Sequence, residues 1–177
     1  MEELFEQDES QEDIKHKYPI TDYISEVYPI LKHILYNITA YRTIISRIQV
    51  PNDTIIENPY RQEFFVNMLN NAIQIAIIDW CKIFGSEHNN QFHCRNHFDF
   101  TVDEQIRSSM IRFRNKFIAH KTDVEIPVPI LEGAIEVMFG FDRKIRKEFD
   151  LDGYPKLKDW RETYEIRVED LLEELEL

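Results

Sequence analysis

From Ile24 to Ile48 the apolar residues recur in steps of three and four: Ile24, Val27, Leu31, Ile34, Ile38, Tyr41, Ile45 and Ile48. A strand alternates its faces every second residue, so this spacing belongs to one face of a helix. It predicts a single long helix from about Thr21 to Val50. Thr21 is placed to cap its start, with Asp22 in the favourable first turn. Pro29 falls early in the run and is expected to kink the helix or delay its start. Pro51-Asn52-Asp53 ends it.

The same period returns along the chain. A second helix is predicted from Asn58 or Pro59 to Phe84. Phe65, Leu69, Ala72, Ala76, Trp80 and Ile83 form one face, and Val66, Ile73, Ile77 and Phe84 widen it. A helix apolar over so much of its girth is central in a bundle or buried in an interface. Gly85 reads as its C-terminal cap. Residues 86–100 form a long polar loop rich in His and Asn, and long loops are often functional or mobile. A third helix runs from Thr101 or Asp103 to about Ala119, with Ile106, Met110, Phe113 and Phe117 inward. Ile126-Pro127-Val128-Pro129 is an extended connector. A fourth helix spans about Ile130 to Phe149, with Leu131, Ala134, Met138, Phe141 and Ile145 inward. After the turn Asp152-Gly153-Tyr154-Pro155, a fifth covers about Lys156 to Leu175, with Leu157, Trp160, Tyr164, Val168, Leu171 and Leu175 on one side.

No convincing strand and no internal repeat is found, and only 4 Gly and 7 Pro interrupt 177 residues. The expected fold is therefore all-α, a bundle of four to five helices. Residues 1–18 are expected to be an acidic flexible tail. Residues 19–177 make one domain, of which 156–177 are the acidic C-terminal helix. No signal peptide and no membrane-spanning run is seen, so a cytoplasmic location and no membrane contact are expected. Cys81 sits in an apolar helical pattern and Cys94 in a polar loop. Two such cysteines give no disulfide framework.

The net charge of −12 argues at first against nucleic acid. The charge is uneven, however. Residues 1–13 hold seven acids and no base, whereas 105–121 hold Arg107, Arg112, Arg114, Lys116 and Lys121 with no acid. A local basic strip can hold a phosphate on an acidic protein, although a solvated helix face is the plainer alternative.

Within that strip lies Arg114-Asn115-Lys116-Phe117-Ile118-Ala119-His120. The arginine is late in a helix, an amide follows it, and the histidine falls where the helix should stop. An imidazole takes and gives protons near neutral pH. A guanidinium stays charged and offers a planar fork of donors to phosphate oxygens. Cleaving RNA without a metal needs both, one for the 2′-hydroxyl proton and one for the crowded phosphate. Asn115 can orient a phosphate or the imidazole. On an ideal helix the six-residue step sets Arg114 and His120 roughly 120° apart. The two converge only if the helix ends before His120, or if two copies of the motif face each other across a two-fold axis. The competing account makes Arg114 an ion-pair residue and His120 a helix-end residue favoured there in its positive form.

This segment resembles the arginine–histidine motif of the HEPN superfamily, which is built on a small helical bundle. With Asp79-Trp80-Cys81-Lys82-Ile83-Phe84-Gly85 ahead of a polar loop, it looks most like the abortive-infection, AbiU-type branch. The likeness covers roughly residues 20–150, and only the arginine–histidine motif is sharp. It implies a HEPN-like fold and a metal-independent endoribonuclease assembled as a homodimer, in a defence or toxin-like role with a cognate antitoxin. Arg114 and His120 occupy the motif positions, and Asn115 is the polar residue that often follows the arginine. Some proteins of this fold are non-catalytic modules that bind RNA, a nucleotide or a protein partner.

Contacts to RNA are expected from Arg107, Arg112, Lys116, Lys121, His93 and Arg95. No cofactor is expected. His88, His93, Cys94 and His97 are residue types that suit zinc, but there is a single Cys and no finger spacing, so no metal site is expected. Packing of His93 and Phe92 onto the bundle is the alternative. Asp79 is read as an exposed edge able to pair with Arg112 or Arg114, and Trp80 with Phe84 as core.

Overall fold

A computed structural model describes residues 19–48, 59–86, 90–119 and 128–174. The acidic stretch 1–18, Pro51-Asn52-Asp53, His88, His120 and Lys121 lie outside the described residues. Five α-helices follow in order: α1 Ile20–Ile48, α2 Pro59–Phe84, α3 Glu104–Phe113, α4 Leu131–Phe149 and α5 Leu157–Glu174. A short 3₁₀ turn, Cys94–Asn96, precedes α3, and a π-helical turn, Arg114–Ala119, follows it directly. No strand occurs among the described residues, and the fold is an all-α bundle. No described helix is long and apolar enough to cross a membrane.

α1 is the central rod, packed against α2, α4 and α5, while α2 also touches α3 and the π-helical turn. Tyr23, Val27, Leu31, Ile34, Leu35 and Ile38 are wholly buried. Late in α1 the buried position is Ile44 rather than Ile45. That slip is the drift of a 3.6-residue helix against a 3.5-residue seam. The helix begins at Ile20, so Thr21 is not its cap; the Pro19 carbonyl accepts from the Asp22 and Tyr23 amides, both at 3.0 Å. Nor does Pro29 delay the start, since α1 runs through it. Val27 and Leu31, buried on either side, offset the roughly 3 kcal/mol a mid-helix proline costs.

The core of α2 forms as expected, except that Val66 is exposed. Trp80 is fully buried, and its Nε1 donates to the Ala134 carbonyl of α4 at 3.2 Å. Gly85 closes α2 without a left-handed cap, for no glycine among the described residues has a positive φ. Glycine is needed there because a Cβ would stand 2.4 Å from the Cys81 carbonyl oxygen. On α4, Gly133 lets Ile106 of α3 approach, where a Cβ would meet Ile106 Cδ1 at 2.9 Å. In α5 the buried line runs Leu157, Tyr164, Val168, Leu172, so Leu171 faces outward, against expectation. Lys32 of α1 lies over the half-buried Trp160, its Nζ 4.0 Å from the ring centroid.

One polar group of the core was not foreseen. Asp142 and Arg146, one turn apart on α4, are 3% and 6% exposed. Arg146 Nε donates to both Asp142 carboxylate oxygens at 3.1 and 3.0 Å. The remaining guanidinium nitrogens donate to the carbonyls of Leu151, Tyr154 and Pro155. Asp142 also accepts from Tyr28 Oη of α1 at 2.6 Å and from the Leu157 amide that opens α5 at 3.2 Å. Asp150, with φ 50°, turns the chain out of α4 towards these contacts.

Removing one partner of such a pair strands a buried charge. Arg146→Met is expected to lower unfolding free energy in urea by about 3–5 kcal/mol, and Tyr28→Phe by about 1.5–3 kcal/mol. A wild-type midpoint for Arg146→Met would show that the network holds nothing together.

Candidate functional site

The site expected around residues 107–121 is built on α3 and the turn that follows it. Asp103 caps α3, its Oδ1 accepting from the Gln105 and Ile106 amides at 2.9 and 3.1 Å. Met110 and Phe113 are buried, which fixes the rotation of the helix. The polar side then carries Arg107, Arg112, Arg114, Asn115 and Lys116.

Arg114 stands where the α-helical ladder gives way to the π-helical turn. Its amide bonds the carbonyls of Met110 and Ile111. Its side chain is half-buried, and Nε donates to Asn115 Oδ1 at 3.0 Å. Asn115 thus bonds the arginine beside it. It clamps one edge of the guanidinium and so restricts the direction of the fork. Lys116, Asn115 and Arg112 are exposed. A π-helical turn widens the backbone ring to i→i+5 and is common at functional sites. Whether His120 meets Arg114 falls outside the described residues, as does the contribution of Lys121.

The strip is less basic than its sequence. Arg107, partly buried, pairs with Glu104 one turn earlier. The Glu104 carboxyl is held below the usual carboxylate range, first by the Ser108 hydroxyl and then by Arg107. A phosphate approaching Arg107 therefore has to displace a carboxylate. Arg112, Arg114 and Lys116 follow Arg107 towards the end of the strip. Asp79 pairs elsewhere, with Lys82 Nζ at 2.7 Å and His33 Nδ1 at 3.2 Å.

His93 leaves the RNA-contacting set, because it is 1% exposed. It caps the 3₁₀ turn, Nδ1 accepting from the Arg95 amide at 3.2 Å while Nε2 sits 2.8 Å from the Gly85 carbonyl. Only the neutral ring with its proton on Nε2 satisfies both contacts. The imidazole therefore ties the loop to the end of α2. His97 lies against Tyr23, ring centroids 3.9 Å apart, with Nε2 on the Gln91 carbonyl at 2.8 Å. Cys94, read as a polar-loop residue, is wholly buried, and Phe98 and Phe100 pack on Phe141 at 5.3 and 5.1 Å. No cluster of three metal-ligating side chains occurs among the described residues. Arg95 is half-buried beside this turn.

The sequence also gave no sign of two hollows. One is an apolar groove of about 500 Å³ between α1, α2 and α5. The other is a cleft of about 570 Å³ at the end of α4, where Arg143, Lys147, Lys156 and Lys158 mix with Asp150 and Asp152. The groove joins residues far apart in sequence, whereas the cleft is lined from within 139–158, where the chain turns from α4 into α5.

Burial pushes the Cys94 thiol up to about 12 from its ordinary 9.0, and it raises the Tyr23 and Tyr28 hydroxyls as well. The fold keeps these protons after the unfolded chain has released them. The Cys94 contribution is whole below pH 9.0 and is lost as pH rises towards about 12, and that of the two tyrosines is whole below 10.0 and is lost above it. The urea midpoint should therefore fall as pH rises from 9 to 11, and Cys94 should resist iodoacetamide until the chain unfolds. Rapid labelling of the native protein would contradict the burial.

No protein-family model, no curated protein and no solved structure matches the chain.

Proposed function

We propose that the protein is a metal-independent endoribonuclease of HEPN type, acting as a homodimer in a defence or toxin-like role. The observation that carries this reading is Arg114 at the α-to-π junction of a basic helix, its guanidinium held by the neighbouring Asn115. Six residues on, the sequence supplies the imidazole of His120.

In this reading His120 takes the proton of a ribose 2′-hydroxyl. The freed oxygen attacks the adjacent phosphorus, and the bond from phosphorus to the 5′-oxygen breaks. The imidazole of the second copy protonates that leaving oxygen. Arg114 neutralises the charge that gathers on the phosphate, and Arg112 and Lys116 hold the flanking backbone. The products are a 2′,3′-cyclic phosphate and a 5′-hydroxyl, and no metal enters the balance.

A second reading is a non-catalytic module that binds RNA, a nucleotide or a protein partner. The net charge of −12 and the open apolar groove favour it.

Purified protein is expected to cut RNA in EDTA and leave cyclic phosphate ends. His120→Ala should slow cleavage by about 10²–10⁴-fold. Asn115→Ala should cost roughly 10- to 100-fold by letting the guanidinium swing. Equal cleavage by wild type and His120→Ala would end the ribonuclease reading. Retention of RNA that weakens with salt and leaves no product would instead support the second.

A further inference from the structure

A third hollow, of about 340 Å³, lies where the first turns of α1 meet the 150–156 turn and the start of α5. Its walls are Ile24 and Tyr28 of α1, Leu151, Tyr154 and Pro155 of the turn, and Trp160 of α5. The buried joint anchors several of these. Tyr28 Oη donates to Asp142 at 2.6 Å, and Arg146 holds the carbonyls of Leu151, Tyr154 and Pro155. Tyr28 and Trp160 are half-buried, and Tyr154, 68% exposed, borders solvent.

Two cations line this space and, among the described residues, no carboxylate does. Arg146 already donates to Asp142 and to the three turn carbonyls. Lys32 is different. It is half-buried, its Nζ stands 4.0 Å from the centre of the Trp160 ring, and no carboxylate pairs with it among the described residues. The ring face offsets part of the hydration the ammonium has lost, but three N–H donors still want oxygen acceptors. The hydroxyls of Tyr28 and Ser25 are engaged elsewhere, on Asp142 and on the Asp22 carbonyl.

These features select a ligand class. The volume falls at the small-molecule end of protein pockets, which run from about 300 to 1,000 Å³. Three aromatic side chains in the walls suit a flat apolar body. One unpaired ammonium neutralises one negative charge. A phosphate monoester would bring nearly two and leave the second against apolar walls.

We infer that this hollow is a binding site for a small aromatic monocarboxylate, its ring against Tyr28, Tyr154 and Trp160 and its carboxylate on Lys32 Nζ. The site is separate from Arg114 and does not depend on ribonuclease activity.

Naphthylacetate is the probe, with naphthylacetamide and naphthylethylamine as neutral and cationic twins of similar shape. Calorimetric titration of the full chain should show the acid binding with Kd below about 1 mM. It should bind at least about tenfold tighter than either twin. Lys32→Gln should weaken the acid about tenfold and bring it level with the amide, and Lys32→Glu should put the amine first. Tyr154→Ala, at an exposed position, leaves the core intact and should weaken acid and amide alike, by roughly 2- to 10-fold. Lys144→Gln removes a cation that pairs with Glu148 outside the hollow, and it should bind as wild type. No binding of the acid at about 1 mM overturns the inference, as does equal binding of acid and amide. Acid binding that survives Lys32→Gln unchanged places the carboxylate elsewhere and overturns it too. An equal loss in Lys32→Gln and Lys144→Gln has the same force, because net charge alone would then attract the acid.

Discussion

The bundle turns on a charged pair inside α4. Asp142 and Arg146 are almost wholly buried, and a bare buried ion pair brings little net stability, since removing two charges from water costs about what their attraction returns. Here the surroundings change the balance. Both carboxylate oxygens are occupied, and the guanidinium reaches three main-chain carbonyls besides. The pair acts as a joint between α1, the 150–156 turn and the start of α5. A second polar link between α4 and α5 is Arg161 with Glu132, at 2.7 Å, which is partly open to water and contributes less. With the buried pair in place the entry of α5 is fixed.

Much of this architecture was legible in the sequence. The three-four seams located four of the five helices to within a residue or two at their described ends, because burial of one face governs where such helices form; the third, expected to reach Ala119, is α-helical only to Phe113 and continues as the π-helical turn. What escaped was whatever depends on residues distant in sequence. Asp142 and Arg146 look like any surface pair one turn apart. Cys94 sits among polar neighbours and was read as loop, yet Phe98 and Phe100 drag that loop into the core through Phe141; the packing of His93 and Phe92 onto the bundle was the alternative the sequence offered. Leu171 and Leu172 are adjacent and equally apolar; only the placement of α1 decides which one faces in. The π-helical turn carries no compositional mark at all.

The candidate site was legible in part. The helix, its rotation and the exposed Arg112 and Lys116 followed from periodicity. The pairing of Arg107 with Glu104 did not, because that acid lies one residue before the stretch that looked free of acids. Asn115 was given two possible roles, and its contact with Arg114 is a third. The apolar groove lies between α1, α2 and α5, whereas the basic residues stand on α3 and the turn after it.

The two tryptophans sit in very different settings. Trp80 is sealed in the core with its indole nitrogen bonded to a carbonyl, whereas Trp160 lies half-open beneath an ammonium group at the α1–α5 seam. The chain therefore contains two optical reporters at known places. Emission from the first is blue and shielded from dissolved quenchers for as long as the centre is intact. Emission from the second responds to any loosening of the last helix, so fraying at that edge can be followed separately from global melting without attaching a dye.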